Sequence, residues 1–104
     1  MQYNYFPGRL RFRDPILRDT DIRNAALEVV RFICPQAEIT YKESTASILA
    51  VYPEDSVNPD SLRPLVPLLL KLEPKIRFYT PKKKNDILAG IAEIKSTVEK
   101  TRKE

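Results

Sequence analysis

Gly8-Arg9-Leu10-Arg11-Phe12-Arg13 is the stretch on which the fold turns. Leu10 and Phe12 alternate with Arg9, Arg11 and Arg13. This period of two predicts a strand with one buried face and one basic face. Pro7-Gly8 punctuates its start and Asp14-Pro15 its end. A strand of this kind needs partners on both sides and a layer over its apolar face, and the rest of the chain offers both.

Downstream, Asp14 to Arg18 reads as a loop, and Asp19 or Thr20 as a helix cap. Ile22, Ala25, Ala26, Val29, Val30 and Ile33 then recur at helical spacing. Pro35 stops that helix, because the residue before a proline resists the helical region. Ala37 to Tyr41 and Ser47 to Tyr52 are β-prone runs joined by Lys42-Glu-Ser-Thr-Ala46, the pattern of a hairpin. Ile48 to Tyr52 is almost wholly apolar, as in a strand central to its sheet.

Asn58-Pro59 suits a cap followed by a first helical position. Leu62, Leu65, Val66, Leu69 and Leu72 carry the apolar pattern of a second helix. Pro64 and Pro67 predict a broken start, with the regular part beginning near Arg63 or Pro64. Glu73-Pro74 is expected to end it. Lys75 to Thr80 alternates again and predicts a fourth strand closed by Pro81, with Ile76 and Phe78 on one face and Lys75, Arg77 and Tyr79 on the other. A last helix follows, with Ile87, Leu88, Ile91, Ile94 and Val98 on one side. The tail from Lys100 to Glu104, without an apolar residue, is expected to fray.

The predicted order is β-α-β-β-α-β-α. Right-handed crossovers close its first six elements into an α+β, ferredoxin-like sandwich with an antiparallel sheet in the order 4-1-3-2. Residues 1–81 form that domain, and 82–104 add an amphipathic helix and tail. In this arrangement Lys75, Arg77 and Tyr79 stand beside Arg9, Arg11 and Arg13 as a basic plate for a partner. The bland alternative is a row of solvated side chains whose stems lie under the last helix. The stripe Ile87, Leu88, Ile91, Ile94 and Val98 finds a poor apolar partner in such a plate. It therefore predicts a homodimer formed through this helix, the alternative being packing within the chain at the sheet edge or against the other helices.

Composition narrows the chemistry. The chain has 104 residues, 42% hydrophobic and 31% charged, with a net charge of +4. It has one cysteine, Cys34, no histidine and two glycines. No Ser-His-Asp set, imidazole or thiolate metal cage, or glycine-rich phosphate loop can be built from one such chain. The reading is a non-enzyme with no cofactor, and with Cys34 packed as a small hydrophobe at the end of the first helix. No apolar run is long enough to cross a membrane and the N-terminus lacks a leader pattern, so the expected location is cytoplasmic. Nucleic-acid binding by the basic plate is the competing reading. Against it, the chain lacks the Lys/Arg-Gly-Phe signature of RNA-recognition domains.

Phe6-Pro7-Gly8-Arg9-Leu10-Arg11-Phe12-Arg13 resembles the Pro-Gly-Arg-hydrophobic-Arg opening of a divergent group of heavy-metal-associated domains. Those domains stand alone or at the N-terminus of P-type metal-transporting ATPases. The resemblance runs on through Ile33-Cys34-Pro35-Gln36-Ala37-Glu38-Ile39, Ser47 to Tyr52 and Asn58-Pro59-Asp60-Ser61-Leu62, covering residues 5 to 80. Standard members bind copper or zinc through Cys-x-x-Cys after the first strand. Here that loop is Asp14-Pro-Ile-Leu-Arg-Asp-Thr20, without a cysteine, so the metal site does not carry over. The resemblance implies a docking role, cytoplasmic or peripheral to a membrane through a protein partner, in metal transport or storage. Its arginine-opened subgroup resembles sequences linked to iron-handling ATPases.

Overall fold

The computed structural model describes residues 2–57, 60 and 63–103. Its elements are β1 (Gln2–Phe6), β2 (Arg9–Arg13), α1 (Thr20–Ile33), β3 (Glu38–Lys42), β4 (Ser47–Val51), α2 (Val66–Arg77) and α3 (Lys84–Lys103). The four strands form one antiparallel sheet in the order β1-β2-β4-β3. Asn58, Pro59 and Leu62, expected at the start of the second helix, lie outside the described residues.

Three strands take the relative places that the sequence predicts, with β2 beside β4 and β4 beside β3. The strand order 4-1-3-2 is nonetheless wrong, because the place beside β2 is filled from the N-terminus and not from residues 75–80. Gln2-Tyr3-Asn4-Tyr5-Phe6 folds back on β2 through Pro7-Gly8, with Phe6 opposite Arg9 and Gln2 opposite Arg13. Gly8 sits at φ +85°, a region open to glycine and strained for other residues. A Cβ there would also lie 3.0 Å from the carbonyl oxygen of Tyr52. The Tyr52 N–H donates to Gly8 O at 2.9 Å, which ties this turn to the end of β4.

The predicted fourth strand is instead the end of α2 and the turn after it. Leu65, Leu72 and Ile76 continue one helical stripe, each 7% exposed or less. Ile76 can join that stripe only if the helix runs through Pro74. Phe78, which the strand reading placed inward with Ile76, is 65% exposed. Its N–H donates to Pro74 O at 3.0 Å and closes the last turn. The N-terminal irregularity is as expected: a short 3-10 turn at Arg63–Leu65 precedes α2, and Pro67 falls in the helix's first turn, where no intrahelical donor is needed.

Two apolar clusters share α1. Leu17, Ala46 and Ile48, with Phe12, Ile39 and Tyr41 around them, meet Ala26 and Leu27 of α1 on the inner side of the sheet. On another side of α1, Ile22 and Val29 pack with Leu72 and Ile76 of α2 and with Ile87, Ile91, Ile94 and Val98 of α3. Asp19 caps α1 by accepting from the N–H groups of Asp21 at 3.0 Å and Ile22 at 3.2 Å. Lys84 reaches Asp19 at 3.2 Å and Asp21 at 2.7 Å, and Lys95 pairs with Glu28. Start meets start and middle meets middle, so α1 and α3 run in the same direction.

The stripe on α3 is therefore covered within its own chain. Ile87 is 0% exposed and Ile91, Ile94 and Val98 are 9% or less, while Leu88 packs against the same cluster. This removes the reason for expecting a second chain on that helix. The helix also shares a core with α1 and does not stand apart as an appended segment, and it continues to Lys103 past the point of expected fraying. Among the described residues, no helix is long and apolar enough to cross a membrane.

Candidate docking surface

Alternation along β2 sends Leu10 and Phe12 to the helix side and the three arginines to the other. Register then assigns the rest of that outer face. Gln2, Asn4 and Phe6 of β1 flank the arginines on one side, and Ser47, Leu49 and Val51 of β4 on the other. Glu38, Thr40 and Lys42 of β3 complete it. No helix contributes to either cluster from this side, and Phe6 and Val51 are 59% and 45% exposed.

Arg9, Arg11 and Arg13 have no ion-pair partner among the described residues. Side chains two apart on a strand are separated by about 6.6–6.8 Å, so the guanidinium stems stand in an evenly spaced row. Arg9 and Arg11, with Asn4 and Phe6, line a shallow dimple of about 80 Å³. Its walls offer two guanidinium side chains, one amide and one aromatic ring.

The other residues expected on this plate are elsewhere. Lys75 and Arg77 lie on α2, with Arg77 paired to Glu73 at 3.2 Å, and Tyr79 packs against the helical cluster. The helix running through Pro74 removes the strand that would have carried them. Asn4 and Phe6 take their place, and sequence reasoning missed both. The signal was present, since Gln-Tyr-Asn-Tyr-Phe before Pro-Gly is a polar-aromatic run leading into a two-residue turn.

On the opposite side of the sheet, Tyr5 stands 48% exposed. Burial, with Tyr5 beside it, pushes the Tyr52 hydroxyl up to about 12. Cys34 is 4% exposed with its Sγ 3.4 Å from Ser56 Oγ, a packed thiol. The segment after β2 forms a 3-10 turn, Pro15–Arg18, held by Asp14 accepting from the Ile16 N–H, with Leu17 driven into the core. Ile16 packs against the helical cluster and Leu17 against the sheet cluster. No family model, curated protein or solved structure matches this chain.

Proposed function

We propose that the chain is a non-enzymatic docking domain whose outer sheet face binds an acidic protein surface. The observation that carries this reading is the row of three arginines that have no ion-pair partner among the described residues, on the sheet face turned away from both apolar clusters. Arginine beside an exposed aromatic is a combination enriched in interface cores. Guanidinium forks bind carboxylates bidentately, which fixes orientation as well as charge. Such a face steers association and sets specificity more than it supplies raw affinity.

The partner class follows from the resemblance to heavy-metal-associated domains, a P-type metal-transporting ATPase or a related metal-handling membrane system, met from the cytoplasmic side. A ferredoxin-like reading supports the same idea. The succession β2-α1-β3-β4 matches the first four elements of that sandwich, with the edge place taken by β1. Pull-down of the ATPase with Arg9, Arg11 and Arg13 all changed to Glu tests the reading. Loss of the partner is expected, and unchanged recovery would remove the role of this face.

Nucleic acid is the less supported occupant, because base-stacking sheet faces carry two or three aromatics and this one carries Phe6 alone. Titration with labelled RNA and DNA at two salt concentrations separates the two. Tight binding that collapses with salt would transfer the face to nucleic acid.

A further inference from the structure

The sheet ends in β3, and among the described residues no backbone hydrogen bond reaches Glu38–Lys42 from outside the sheet. On its helix side this edge is bordered by Arg23, whose guanidinium lies 4.4 Å from the Tyr41 ring centroid and pairs with Glu43. The helix α3 packs on a different side of α1, through Ile22 and Val29. The edge thus offers a row of free N–H and C=O groups, the usual template for another strand.

We propose that β3 pairs with β3 of a second copy, antiparallel and centred on Thr40, to make a continuous eight-stranded sheet. The choice of occupant rests on charge and side-chain complementarity. In this register Glu38 faces the partner's Lys42, and Lys42 faces the partner's Glu38. Ile39 faces the partner's Tyr41, and Thr40 meets the partner's Thr40. Opposite charges, an aromatic with a β-branched residue, and two threonines are the cross-strand pairs that stabilise antiparallel sheets.

The same residues disfavour other alignments. Sliding by two residues removes both ion pairs, and sliding by four sets Glu38 against the partner's Glu38 or Lys42 against the partner's Lys42. Glu38 and Lys42 are exposed and have no ion-pair partner among the described residues. Charges on an edge strand ordinarily repel stray strands, and here they admit one partner, the strand's own copy. A two-fold axis through Thr40 leaves both rows of arginines on one face. They lie about 24 Å apart across five strand spacings.

Sedimentation equilibrium on the full chain tests this, with circular dichroism confirming that each variant is folded. Wild type is expected to self-associate with rising concentration. Glu38→Lys alone and Lys42→Glu alone each set like charges opposite at both ends of the joint, and each should weaken association about tenfold. Mixing the two variants restores opposite charges and should restore association, as should the double exchange Glu38→Lys/Lys42→Glu. A wild-type chain monomeric up to about 1 mM would overturn the proposal. So would single variants that associate as wild type does, since the joint would then lie elsewhere.

Discussion

Replacing Ile87 by Ala tests whether α3 belongs to the core of its own chain. Ile87 is 0% exposed and lies in the cluster that joins α1, α2 and α3. The change removes three carbon groups. At about 0.8 kcal/mol for each buried methylene, their transfer alone accounts for about 2.4 kcal/mol. The unfilled cavity adds to this, which puts the expected loss at about 3–4 kcal/mol, within the observed range of about 2–5 for such substitutions. A domain of this size has about 5–15 kcal/mol in total, so the variant should be visibly marginal. Urea denaturation followed by circular dichroism measures it, at two widely separated protein concentrations. Leu70→Ala, on the exposed side of α2 at 64%, is the control and should shift stability by no more than about 0.5 kcal/mol. A loss below about 1 kcal/mol at Ile87 would refute the argument. A loss seen only at the higher concentration would also refute it, because it would mean that the residue serves association and not the fold.

Gly8→Ala should cost about 1–3 kcal/mol for a left-handed backbone alone, with crowding against Tyr52 O added, and thermal melting will show it. Asp19→Ala should lose about 1 kcal/mol through the helix cap. Burial pushes the Asp19 carboxyl up, but the Ile22 and Asp21 N–H groups and the Lys84 ammonium outweigh it and hold it below the usual range. Its contribution is thus complete above the unfolded value near 3.9 and fades as pH falls through the lower folded value. The wild-type advantage over Asp19→Ala in acid titrations of stability should narrow there. Tyr52 should ionise near 12, after an unperturbed tyrosine near 10. The neutral form is favoured by folding, so stability should fall as pH rises from 10 through 12, and Tyr52→Phe should remove that last ultraviolet titration step. Cys34, 4% exposed, should react with a thiol reagent slowly in the folded chain and at the rate of a free thiol in denaturant.

Much of this architecture is legible in the residues. The alternation in Gly8–Arg13, the stripe from Ile22 to Ile33 and the paired runs around Lys42–Ala46 each have one strong period and clear punctuation. The reading failed where two periods competed over a short span. Lys75–Thr80 alternates as a strand would, yet Leu72 and Ile76 are also one helical turn apart, and burial of Ile76 decides for the helix over the cost of Pro74. Gln2–Phe6 gives a weak strand signal because its apolar residues, Tyr3, Tyr5 and Phe6, are aromatic and all stay exposed. The arginine row was legible because strand alternation alone assigns it a face. Its neighbours were not, since they depend on which segment fills the edge. The covering of the α3 stripe by α1 and α2 likewise depends on how helices pack, which periodicity does not specify.

The origin of the edge strand has a kinetic consequence. Because β1 and β2 are joined by two residues and β3 and β4 by four, two of the three strand pairings close over short loops. Only the β2–β4 pairing spans a long stretch of chain, and α1 lies within that stretch. Loop closure is the slow part of assembling sheets. A sheet whose outer strand came from residues 75–80 would have required a second long closure. Here one long-range encounter, between the β1–β2 and β3–β4 hairpins, completes the sheet. Mutations at that joint, such as Leu10 opposite Ala50 or Phe12 opposite Ile48, should slow refolding in proportion to their cost. Changes in the turn at Pro7-Gly8 should act mainly on how often the first hairpin is ready to meet the second.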